Sequence, residues 1–302
     1  MLANPAIDVA KYNDDGFLCP IDIMSSDEAA ARRARLEDLE DRGKALTETT
    51  PRDINQYFRV NCHYVTQLGA GIANDPRILD CVESILGHDL IAWSCEFFIK
   101  EPRTDKVVSW HQDLTYWGLG ATGQQVTAWL ALSPATRESG CMRFVPGTHK
   151  NPIVPHNDTF AGSNLLSRGQ EISVDVDEDD AVDIVLQPGQ MSLHHGLMFH
   201  ASGPNISNDR RIGVAIRYIT PDVKQHVAKR DYGMLVRGCN HTGNFLNVAP
   251  PASDLDPHAV ALYEQIIADQ SVALAEGAEE NVGMYAGYNS ESANEATTST
   301  AS

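Results

Sequence analysis

The spacing of hydrophobic positions changes character along the chain, and the changes mark out the elements. Ser25-Ser26-Asp27-Glu28 reads as a helix start, and the acids of the first turn are followed by bases toward Lys44, which complements the helix dipole. A second helix is expected over Asp75 to Leu86, where Ile78, Leu79, Val82, Ile85 and Leu86 recur at core spacing and Gly87 stops it. From about Leu90 to Thr220 the pattern becomes that of strands, such as Ile91 to Lys100 and Ile212 to Tyr218. It is broken by Pro134, Gly140, Pro146-Gly147, Pro188-Gly189 and Gly203-Pro204. Turn signals at this regularity suit an antiparallel barrel or sandwich. Residues 14–24 read as a turn and short strand entering the domain, and a last helix is expected over about Pro257 to Ala275. Residues 1–278 thus read as one domain, mainly β with flanking helices. Residues 279–302, rich in Asn, Ser, Thr, Glu and Ala, are expected to be a disordered tail.

Composition narrows the class. Hydrophobic residues make up 42% of the 302, enough for a sizeable core. The net charge of -18 argues against nucleic acid or an anionic membrane as partner, since both require basic patches. No stretch approaches the ~18 apolar residues of a membrane span, and the start lacks the pattern of a signal peptide. Six cysteines stand without paired spacing, so neither a zinc knuckle nor a disulfide framework is indicated, and a reduced, cytoplasmic setting is expected. The seven acids between Gln170 and Asp183 lack the glycine and final glutamate of a calcium-binding loop and read as a solvated acidic loop.

The candidate chemistry stands in three places. His111 and Asp113 form a His-x-Asp pair in what reads as extended chain, so both side chains would point to one face and could converge on an ion. His200 would come from a strand lying opposite and complete a 2-His-1-carboxylate metal set with open positions. Eleven residues on, Arg211 offers a guanidinium fork suited to a carboxylate held away from the metal.

The segments SWHQDLTYWGL, VTAWLALSPATRESGCMRFVPGTHK and GQMSLHHGLMFHASGPNISNDRRIGVAIRYI resemble the phytanoyl-CoA dioxygenase family over roughly residues 10 to 250. The resemblance rests on the metal pair, a Glu-x-Gly run ending in Pro-Gly-Thr-His, the distal His and the Arg, in that order. It implies a double-stranded β-helix (jelly-roll, cupin-like) core. It also implies a dioxygenase using Fe(II), 2-oxoglutarate and O2 to hydroxylate an unactivated C–H bond, with release of succinate and CO2. His111, Asp113 and His200 would be the iron ligands. Arg211, helped by Ser202, would hold the far carboxylate of 2-oxoglutarate, with Trp117 beside cosubstrate or substrate. Ser94 or Glu96 stands where relatives place a polar residue for the cosubstrate. Asp113 fills the position that related halogenases leave to chloride.

Other residues receive supporting roles. Of the adjacent His194 and His195, which face opposite ways, one is expected in the core or beside the site, and His149 is expected to hold a loop. Trp93, Trp110 and Trp129 are read as core. The primary substrate is expected to be a small polar metabolite, with an amine as one candidate, because no basic cluster suits a CoA phosphate and Glu96 shares strand parity with Ser94 and Phe98. Lys100 or Arg237 could instead be the cation for Glu96. Two alternatives stay open: a cupin-like metalloenzyme that does not use 2-oxoglutarate, and a catalytically inactive binding protein. Oligomeric state is not read from the sequence.

Overall fold

The structure, a computed structural model, describes residues 6–44, 51–159, 162–166 and 169–275. The tail expected at 279–302 lies outside these. Among the described residues, six helices, α1 (Val9–Asp15), α2 (Ser26–Lys44), α3 (Ile54–Arg59), α4 (Gln67–Ala73), α5 (Pro76–Leu86) and α6 (Pro257–Ala275), accompany thirteen strands. The strands are β1 (Phe17–Asp22), β2 (Leu90–Lys100), β3 (Val108–His111), β4 (Gln125–Ala131), β5 (Met142–Phe144), β6 (His156–Asp158), β7 (Gln170–Ile172), β8 (Val182–Ile184), β9 (Gln190–His195), β10 (His200–Ser202), β11 (Arg211–Ile219), β12 (Tyr232–Arg237) and β13 (Leu246–Asn247). The expected helices α2, α5 and α6 form at the expected places. Helices α1, α3 and α4 were not expected; they are six or seven residues long, too short to display a helical period.

A seven-stranded sheet in the order β1-β9-β4-β11-β2-β12-β13 and a four-stranded sheet in the order β3-β10-β5-β8 make the double-stranded β-helix. Alternation divides the large sheet cleanly. Cys95, Phe97 and Ile99 of β2, Val126, Ala128 and Leu130 of β4, and Ile212, Val214 and Ile216 of β11 join the helices in the main core. The intervening residues, among them Ser94, Glu96, Phe98, Thr127, Trp129, Ala215 and Arg217, line an internal cavity. A second cluster between the sheets contains Phe17, Trp129, Phe144 and Met198.

Two local irregularities shape the cavity wall. Arg217 of β11 pairs with Ser94 of β2, but the next residue, Tyr218, pairs with Ala92. The extra residue is Trp93, and this bulge lets Trp93 and Ser94 both line the cavity. Gly213 lies where a Cβ would come within 1.9 Å of Trp129 Cζ2, so the absence of a side chain admits the indole.

Helices and sheet are also tied by ions. Arg77 of α5 donates to Glu28 of α2 at 2.7 and 2.9 Å and to Asp75, the helix's own N-cap, at 2.7 and 2.9 Å. Arg210 binds Glu40 and Glu101.

Candidate metal and cosubstrate site

His111 ends β3, and the chain turns there into a short 3-10 segment, Asp113–Thr115. Asp113 is therefore not a strand residue as the spacing suggested; the turn carries its carboxylate back toward His111. His200 opens β10, which pairs with β3 so that His200 stands directly across from His111. The distal histidine thus comes from the neighbouring strand of the same sheet rather than from one opposite. His111 Nε2 lies 3.5 Å and His200 Nε2 3.8 Å from Asp113 Oδ1. The imidazole centroids are 4.0 Å apart.

The protonation pattern follows from the other ring nitrogens. His111 Nδ1 is 2.9 Å from the carbonyl of Ser109, and His200 Nδ1 is 2.9 Å from that of Met198. A carbonyl only accepts, so each Nδ1 carries its proton and each Nε2 presents a lone pair. Two lone pairs and a carboxylate oxygen gathered at one buried point repel one another unless a cation lies among them. These ligand atoms all lie within 4.8 Å of one another, so the donor set fits a divalent metal. Burial, followed by the neighbouring His111, keeps His200 well below the usual imidazole value.

Supporting contacts surround this point. Thr127 donates to Asp113 Oδ2 at 3.3 Å and itself receives Gln125 Nε2 at 2.9 Å. His194 Nε2 stands 3.8 Å from Asp113 Oδ2, whereas His195 faces away and accepts from the Leu197 N–H. His149 lies against the Asn13 carbonyl, joining its loop to the end of α1. Gln112, between the two proposed ligands, donates to the carbonyls of Pro152 and Leu197 and accepts from Val154 N–H. It pins two loops around the site; its place inside the motif was the available signal.

Arg211, at the start of β11, is 1% exposed and lines the same cavity, with its guanidinium carbon 5.3 Å from the Trp129 ring centre and 5.6 Å from that of Phe98. Ser202 is also in the lining, and its hydroxyl accepts from Lys100 Nζ at 2.7 Å. Lys100 also donates to the carbonyls of Ser202 and Gly203. Trp117 lies against Trp93, and Arg217 is 5.1 Å over its ring.

Several expectations are corrected here. Glu96 lines the cavity beside Ser94, but its cation is Arg217 of the adjacent strand, at 2.5 Å, and neither Lys100 nor Arg237. Arg237 instead binds Asp80 and Glu83 of α5 and is not in the lining. Trp93 and Trp129 are core residues as expected, and because of the bulge and of Gly213 they also line the cavity. Trp110 is half-buried outside it, beneath Arg143 and within reach of Glu178 of the acidic stretch.

The family model for phytanoyl-CoA dioxygenase (PhyH) matches residues 12–213. The chain belongs to the phytanoyl-CoA dioxygenase family. It is a dioxygenase of the class that uses Fe(II), 2-oxoglutarate and O2. It is 28% identical over 231 residues to the peroxisomal phytanoyl-CoA dioxygenase of Rattus norvegicus, covering 70% of this chain and 68% of that protein. The Bos taurus enzyme is 32% identical over 149 residues, 47% of this chain and 43% of its own. The chain therefore spans only part of the curated relatives it matches. Among solved structures, the apo form of the non-heme monooxygenase ThoJ is 33% identical with a TM-score of 0.79, covering 89% of this chain and 97% of that one. Among the described residues, no helix of this dioxygenase is long and apolar enough to cross a membrane.

Proposed function

We propose that this dioxygenase hydroxylates an unactivated C–H bond of a small polar metabolite, converting 2-oxoglutarate to succinate and CO2. In this reading His111, Asp113 and His200 hold the iron, Arg211 and Ser202 receive the far carboxylate of 2-oxoglutarate, and Trp117 borders the reacting groups. The observation that carries it is the facing of two Nε2 lone pairs and the Asp113 carboxylate within one buried cavity that also holds Arg211. Held there, iron and 2-oxoglutarate would supply the oxidising power, with one atom of O2 accounted for in succinate and the other in the product. The protein's own part is geometric. Ser109 and Met198 fix the imidazole tautomers, Thr127 and His194 steady Asp113, and the aromatic walls exclude water. The solved relative described as a non-heme monooxygenase supports oxygen insertion.

A small polar substrate fits better than an acyl-CoA. The net charge is -18, and of the cavity-lining arginines Arg217 is already bound to Glu96. Because Glu96 has an internal cation, an amine on the substrate is no longer required to explain it. A cytoplasmic location belongs to the same reading and is supported by the six free cysteines. The test is a panel of matched amine, neutral and CoA-thioester compounds, scored for equal amounts of succinate and hydroxylated product under heavy-isotope O2. Preference for a CoA thioester would remove the substrate class, and succinate with no labelled oxygen would remove the reaction.

A further inference from the structure

One wall of the cavity comes from helical segments rather than strands, and one of its residues carries an acceptor that no group among the described residues satisfies. Asn61 and Gln270 stand there, the first just after α3 and the second on α6. Asn61 is 1% exposed and holds a left-handed backbone, φ 49° and ψ 34°. Asparagine tolerates that region better than most residues, yet such conformations in ordered sites tend to mark functional positions.

The orientation of its amide is dictated by a chain of donors. Asp231 is buried, and its two oxygens receive the Trp93 indole N–H at 2.9 Å and the Tyr232 backbone N–H at 2.8 Å, groups that can only donate. Gln225 Nε2 and Gln270 Nε2 add donations at 2.9 and 2.8 Å. Gln270 must therefore turn its Oε1 the other way, and it accepts Asn61 Nδ2 at 2.8 Å. Asn61 is left with Oδ1 to accept, and that oxygen is buried without a hydrogen-bond partner among the described residues. Buried carbonyl oxygens in this state are uncommon.

We infer that Asn61 Oδ1 is a specificity-determining acceptor for an N–H or O–H donor on the primary substrate, oriented by Gln270 and Asp231. The inference rests on the oxygenase reading for its cavity, and it selects substrates that carry a neutral donor. Trp93, anchored on the same Asp231, lines the same cavity with an apolar face.

The test uses the iron-loaded protein with 2-oxoglutarate under anaerobic conditions, titrated with benzamide and with N,N-dimethylbenzamide, which lacks the N–H. Tryptophan fluorescence follows binding, and a crystal structure of the benzamide complex locates the amide. Benzamide should bind at least about tenfold more tightly. Asn61→Gly, which suits the left-handed backbone and removes the amide, should erase that ratio while leaving dimethylbenzamide affinity unchanged. Equal affinities in the native protein, a ratio that survives in Asn61→Gly, or a water in place of the amide on Oδ1 would overturn it. Metal-dependent binding of 2-oxoglutarate, measured separately in both proteins, reports on the oxygenase reading. Its loss would overturn that reading without altering the benzamide ratio.

Discussion

The strand-built and helix-built walls of the cavity are organised by different ranges of the chain. At the strand wall, His111 and Asp113 are two residues apart, and His200 reaches them because β3 and β10 are hydrogen-bonded neighbours. Its supports are local too: each imidazole bonds a carbonyl two residues back. At the helical wall, Asn61 and Gln270 are 209 residues apart, and Asp231 joins Trp93 across 138. The first arrangement uses strand pairing and one short turn to place charge, whereas the second needs α6 packed against the barrel before its donors find their acceptors. Chemistry common to a family can live on the first, and selection among substrates can be altered on the second.

The largest effect expected is at the strand wall. Asp113→Ala should abolish succinate release coupled to substrate, with the circular dichroism spectrum unchanged. Undiminished hydroxylation in that variant would sink the ligand assignment. Next, Arg211→Gln should weaken 2-oxoglutarate by at least about tenfold, the lower end of the ~2–5 kcal/mol lost when a buried charge pair loses one partner. Calorimetric titration checks this, and an unchanged constant would place the cosubstrate elsewhere.

At the helical wall the expected loss is in stability. Asp231→Ala strands the Trp93, Gln225 and Gln270 donors and should cost about 2 kcal/mol, since hydrogen bonds to a charged group contribute ~1.5–3 kcal/mol. Metal binding at His111 and His200 should persist. If thermal unfolding is unmoved while iron is lost, the two walls are not separable as described.

The smallest effect lies in the helical layer behind the sheet. Hydrogen bonding from Arg77 is the main cause that lowers the Glu28 pKa to about 2. A carboxyl depressed in the folded state stabilises fully above its unfolded pKa of ~4.3 and loses that contribution as pH falls toward the folded value. Glu28→Gln should therefore lower the melting temperature slightly at neutral pH, and the gap should close between about pH 5 and pH 2. Solvent screening keeps the difference small. A gap that widens on acidification would contradict the ion pair.

Long periodic or capped segments were legible in advance. The helix at 76–86 announces itself through its Asp75 cap, its apolar stripe and Gly87. The alternation of β2 correctly put Ser94, Glu96 and Phe98 on one face. Less visible was anything depending on an interruption of the pattern. The bulge at Trp93 broke strand parity, and Gly213 made room for Trp129, so two tryptophans of the core also serve as cavity wall.

By itself the sequence determined which side chains offer metal-donor and guanidinium chemistry, because residue type sets donor chemistry. Tertiary structure alone decided that Arg217, rather than Lys100 or Arg237, neutralises Glu96. It also decided that a carboxylate at 231 orients an amide at 61. Partner choice among buried polar groups depends on which atoms meet when distant segments pack, and nothing in the linear order encodes those distances.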